Sequence, residues 1–163
     1  MENKDFEILT NYILSYNSLD CLNTDLIEEW TTELINLGHK SDAIYMLASF
    51  SKPIVFYEIE SYLKSVFREL NLKENDKIQA QKSYINYHLN EIVNLKNIRS
   101  NLREIADLYY DCNSDLEITD FYLLYLAWDE LEEIGVNYYY ENVDLKTIEA
   151  TVIEKAKSWL GFV

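Results

Sequence analysis

The chain has 163 residues, 48% of them hydrophobic and 14% aromatic, which is enough apolar side chain for one sizeable core and too much for disorder throughout. Twenty-nine Asp and Glu against fourteen Lys and Arg leave a net charge of −15, which repels phosphate and anionic lipid and argues against a nucleic-acid or membrane-surface binder. Three Gly and one Pro are too few to punctuate the turns of a sandwich or barrel, so an all-α fold is expected.

The first helix is predicted from Phe6, Leu9, Ile13 and Tyr16, and the second from Ile27, Trp30, Leu34 and Leu37 after a cap at Asn23 or Thr24. Gly38 suits the left-handed position that ends a helix. Ser41 then caps a short helix through Ile44, Leu47 and Ala48, which Pro53 closes. The segment from Ile54 to Leu70 places Val55, Ile59, Tyr62, Val66 and Leu70 on one face. From Asp76 to Asp111 the positions Ile78, Ile85 and Ile92, then Leu95, Leu102 and Tyr109, recur at multiples of seven. One long helix or two stacked ones would explain this, with any break at Asn94, Asn97, Ser100 and Asn101, whose side chains compete for backbone hydrogen bonds.

Residues 111–118 read as a loop, and Thr119 as the cap of a helix through Ile134. That helix is apolar on every side over 121–128, as expected of a helix buried all round. Gly135 ends it. A tyrosine-rich connection leads to Asp144 as a cap and to a last stripe of Leu145, Ile148, Val152, Ala156 and Trp159. The reading is one compact all-α domain over residues 1–163, a bundle of about seven helices. Irregular helical-hairpin repeats are the alternative arrangement.

Charge is unevenly spread along this chain. Residues 64–103 hold eight cations against four acids, whereas 104–145 hold twelve acids and no Lys or Arg. Within that tract Asp129, Glu130, Glu132 and Glu133 fall in the last turns of a predicted helix, where the carbonyl end of the macrodipole disfavours anions by about 0.3–1 kcal/mol per exposed group. Residues that oppose local stability tend to mark function. Tyr138, Tyr139, Tyr140 and Glu141 follow directly. Three consecutive tyrosines cannot all face one core, and exposed tyrosine is a preferred interface anchor. Asp129, Glu130, Glu132, Glu133, Tyr138, Tyr139, Tyr140 and Glu141 are therefore the candidate partner-binding residues, and a cationic protein is the partner they suit.

Catalytic and metal-binding patterns are missing. A ferritin-like centre needs Glu three residues before His, but Asn36 precedes His39 and Ile85 precedes His88. His88, near the helical seam, reads as a satisfied, partly buried histidine. Asp111, Asn113 and Asp115 imitate the start of a calcium loop, yet Leu116 replaces its glycine and Tyr122 its bidentate glutamate. Cys21 and Cys112 are far apart and form no CxxC pair, and Cys112 lies among carboxylates that disfavour a thiolate. No signal peptide is read, so a reducing cytoplasmic setting is expected. Phe121–Trp128, the longest apolar run, is well short of the roughly 20 residues a membrane span needs. No enzyme activity, cofactor or metal is expected.

The stretch containing Trp30, Leu34, Ile35, Gly38, Ser41, Ile44, Leu47 and Ala48, followed by Tyr57-Glu58 and Arg68-Glu69-Leu70, resembles small acidic bacterial immunity proteins of polymorphic or contact-dependent toxin systems. The likeness covers residues 23–72. It implies a cytoplasmic inhibitor that neutralises a cationic toxin domain, a nuclease for example, by blocking its active site. A helical adaptor without catalytic role and a carboxylate–metal enzyme are the competing expectations.

Overall fold

The structure is a computed structural model describing residues 3–111 and 117–162. Among these residues all regular structure is α-helical: α1 Asn3–Ile13, α2 Leu26–Asn36, α3 Asp42–Ala48, α4 Phe56–Glu69, α5 Lys77–Val93, α6 Ile98–Asp111, α7 Thr119–Ile134 and α8 Ile148–Trp159. Among the described residues there are eight helices where about seven were expected, because the 76–111 segment resolves into two. The chain forms two compact units, residues 1–84 and 85–163, with the boundary inside α5.

In the first unit, α1 buries Leu9, Tyr12 and Ile13, and α2 buries Ile27, Trp30 and Leu34. Trp30 is fully enclosed, so its indole N–H needs an acceptor, which Thr10 Oγ1 supplies at 3.0 Å. Tyr12 stacks on Tyr84 at 5.7 Å between ring centres. Neither Asn23 nor Thr24 caps α2 as expected; the helix begins after Asp25 with no side-chain cap bond. Thr24 Oγ1 instead donates to the Ile54 carbonyl, and Asp25 Oδ1 accepts from the Ile54 N–H at 2.8 Å. Tertiary bonds to the distant Ile54 have taken the Thr24 and Asp25 side chains, while Asn23 Oδ1 accepts locally from the Asp25 N–H at 3.0 Å.

Gly38 (φ +90°) takes the left-handed position after α2, and Ser41 Oγ caps α3 by accepting from Ile44 N–H at 3.2 Å. The buried face of α4 keeps Ile59 and Val66 of the predicted stripe and adds Leu63 and Phe67. Val55 is exposed, and Tyr62 and Leu70 are half-buried. The phase was set by packing two residues, Leu63 and Phe67, one helical step away from the expected line. Asn75 secures the approach to α5. Its amide donates to the Asn11 carbonyl at 2.9 Å, Ser15 Oγ at 3.0 Å and Ser83 Oγ at 3.3 Å. Its backbone N–H reaches the Leu14 carbonyl, and the Asn75 carbonyl accepts from Ser18 Oγ at 2.7 Å.

In the second unit the break between α5 and α6 lies at residues 94–97, where asparagine competition was expected. Leu95 (φ +59°) and Asn97 (φ +42°) turn the chain left-handed, a conformation Asn tolerates better than most residues. Asn101 is the agent. Its amide donates to the Lys96 carbonyl at 2.8 Å, and its Oδ1 lies 2.7 Å from His88 Nδ1. His88 is buried, and desolvation holds its pKa below the ordinary imidazole value. Ile85, Ile92 and Leu102 are buried as the heptad-like spacing anticipates, but Ile78 and Leu95 are exposed.

Helix α7 is not buried all round. Phe121, Leu124, Ala127, Trp128 and Leu131 face the core, while Tyr122, Leu123, Tyr125 and Leu126 are half-exposed. Tyrosine tolerates that position because its rim can stay wet, and Tyr122 stacks on Tyr109 at 4.7 Å. Ile118, fully buried, occupies the cap position expected for Thr119. Asp144 does not cap α8 directly. Its Oδ1 accepts from the Lys146 and Thr147 backbone N–H groups and the Thr147 hydroxyl, organising one turn before the helix begins. Those bonds hold its carboxyl below the usual aspartate range. Ile148, Val152 and Ala156 carry the buried stripe of α8, whereas Leu145 is exposed. Cys112 and most of the calcium-like loop lie outside the described residues.

Candidate docking face at the end of α7

The eight predicted binding residues divide into two groups. Asp129 and Glu132, one helical step apart on α7, both meet Arg99 of α6: Nη2 to Asp129 Oδ1 at 2.8 Å and Nη1 to Glu132 Oε2 at 2.5 Å. Glu132 Oε1 also accepts from the Trp128 indole N–H at 3.0 Å. The macrodipole penalty at this helix end is thus offset by a cation that arrives from another helix. Elsewhere in the acidic tract Lys155 bonds Asp120, and Arg103 lies 3.5 Å from Asp107. Adding charges along the chain could not reveal this, because Arg99 and Arg103 fall just before the tract and Lys155 just after it.

Of the second group, Glu133, Tyr138, Tyr139 and Glu141 are exposed, while Glu130 and Tyr140 are half-buried. Gly135 (φ +80°) ends α7 in the left-handed conformation, with its N–H on the Leu131 carbonyl at 3.1 Å. Glu130 Oε2 then accepts from the Tyr138 N–H at 2.9 Å, and Asn137 Oδ1 from the Tyr140 N–H at 2.9 Å. Asn137 Nδ2 donates to the Val143 carbonyl at 3.2 Å. The connection is therefore held in one conformation by its own short polar side chains. Tyr138 projects outward, 82% exposed, with Tyr139 at 44%. Tyr140 is half-buried, and its phenol lies against Lys155. Its bond to Asp120, with the nearby Tyr140 phenol in support, holds the Lys155 ammonium above the usual lysine range.

Two residues of this face were not anticipated from sequence: Ile134, 59% exposed, and Val136, 50% exposed. Both flank Gly135, and Ile134 entered the sequence reading only as the last residue of the predicted helix. Glu133 and Glu141 are exposed and form no ion pair among the described residues. The result is a cluster of Ile134, Val136, Tyr138 and Tyr139 with carboxylates beside it. Exposed apolar and aromatic side chains gathered near carboxylates are typical of a surface that buries against another protein.

Among the described residues, no three His, Cys, Asp or Glu side chains come together as a metal site, and no helix is long and apolar enough to cross a membrane. Comparison with known proteins finds no matching family model, no matching curated protein and no matching solved structure.

Proposed function

We propose that this chain is an acidic protein-binding inhibitor of the immunity-protein kind, which docks the end of α7 onto a cationic bacterial toxin domain and blocks its active site. The observation that carries this reading is Tyr138. It is 82% exposed, yet its backbone is fixed by Glu130, so an aromatic anchor is presented at little further conformational cost. Glu133 and Glu141 supply the charge that attracts a basic partner, while Ile134, Val136 and Tyr139 supply apolar area. Asp129 and Glu132 play a supporting part, since Arg99 already occupies them.

The test is a calorimetric and stopped-flow titration against the purified product of the neighbouring open reading frame. The wild-type chain is expected to form a 1:1 complex whose association slows as salt rises. Tyr138→Ala should weaken the complex by about 30-fold, the scale of an interface hot spot. Glu133→Lys should act mainly on the association rate. If both variants bind as tightly and as fast as wild type, this face is not the docking surface.

A further inference from the structure

The C-terminal part of α4 and the chain that follows it form an open groove of about 550 Å³, lined by Lys64, Phe67, Arg68, Leu72, Lys73 and Glu74. Its floor is apolar: Phe67 is 97% buried within the unit, and Leu72 is half-exposed above it. Its rim is cationic. Lys64 is paired with Glu60, and Glu74 is held by the Asn17 amide. Arg68 donates only to the Lys64 carbonyl and the Ser65 hydroxyl, and neither Arg68 nor Lys73 meets a carboxylate among the described residues. In a chain of net charge −15, these two cations without an acidic partner among the described residues border an apolar floor.

The complementary surface is on the same chain. At the end of α7, Glu133 stands next to Ile134, which is 59% exposed and immediately precedes the left-handed turn at Gly135. An exposed aliphatic side chain at a helix end, with a carboxylate beside it, matches an apolar floor with cations around it. We propose that the groove on α4 receives the end of α7 from a second copy of the chain, with Ile134 on Phe67 and Leu72 and with Glu133 against Arg68 and Lys73. Groove and helix end are different surfaces, so the contact is heterologous: in a dimer one copy keeps a free helix end and the other a free groove. It is also small, so the association is weak and rapidly reversible. It stands independently of any toxin partner. Where such a partner exists, the second copy covers the face that partner uses.

Sedimentation velocity from low micromolar concentration to about 1 mM, the range in which contacts of this size associate, tests the inference, with circular dichroism confirming that each variant is folded. The wild-type mass is expected to rise with concentration. The helix-end variant Glu133→Lys/Ile134→Ser moves the net charge from −15 to −13, which by charge repulsion alone would favour association, yet it should remain monomeric. The groove variant Arg68→Glu/Lys73→Glu should also be monomeric. An equimolar mixture of the two should recover a 1:1 dimer and nothing larger, because only one intact groove and one intact helix end remain between them. A wild type that stays monomeric, a helix-end variant that associates at least as well as wild type, or a mixture that yields no dimer each overturns the inference.

Discussion

Replacing Arg99 with methionine keeps most of the aliphatic stem and removes the charge that binds Asp129 and Glu132. The Arg99 side chain is 40% exposed, and its partners are 55% and 44% exposed. Pairs so accessible to water contribute about 0.2–1 kcal/mol each. Freeing two carboxylates in the last turns of α7 adds about 0.3–1 kcal/mol of unfavourable dipole interaction per group. These contributions overlap, because the same cation answers both, so the expected loss is about 1–2 kcal/mol in low salt. Its electrostatic origin fixes a second expectation. Raising the ionic strength from about 0.01 M to about 1 M shortens the screening length from about 30 Å to about 3 Å, so the difference between variant and wild type should shrink to a few tenths of a kcal/mol. Urea unfolding at the two salt concentrations, with equal slopes confirming comparable transitions, measures both quantities. A loss above about 3 kcal/mol that persists in high salt would mean that Arg99 acts through packing, and the account of how the acidic helix end is tolerated would be refuted.

Three further perturbations test the scaffold around the site. Asn75→Ala removes an amide shared by Asn11, Ser15 and Ser83 and should cost about 2–3 kcal/mol in urea unfolding, because Ser15 and Ser83 are buried and lose a donor. His88 has a folded pKa below its ordinary value of about 6.5, so the folded state binds its proton less readily than the unfolded chain does. Its contribution to stability is complete above about pH 6.5 and falls as the pH drops below it, with Glu104 and Glu91 moderating the effect. His88→Gln should flatten that part of the stability profile measured by thermal unfolding. Gly135→Ala meets no atom within 4 Å but must adopt φ +80°, so a purely conformational loss of about 1 kcal/mol is expected.

Helix existence was legible because it rests on short-range regularities. Apolar residues recurring every three or four positions, Ser41 before α3, and glycines at Gly38 and Gly135 each act through neighbours within one or two turns. The asparagine-rich break at 94–97 was legible for the same reason: Asn101 lies within a turn of the carbonyls it bonds. The caps of α2 and α7 were misplaced because Thr24 and Asp25 are recruited by Ile54, and because Ile118 is drawn into the core. In each case a contact distant in sequence outweighed the local preference.

For the candidate site, composition alone established that residues 104–145 carry twelve acids without a cation and that three tyrosines adjoin them. Only the fold decided that Arg99 crosses from α6 to hold Asp129 and Glu132, that Lys155 reaches Asp120 and Tyr140, and that Ile134 and Val136 stand outside with Tyr138. Electrostatic attraction acts through space and falls with distance between charges, not with the number of residues separating them along the chain. A sum along the sequence therefore measures how much charge a segment carries, and the packing of helices determines how much of it remains available to a partner.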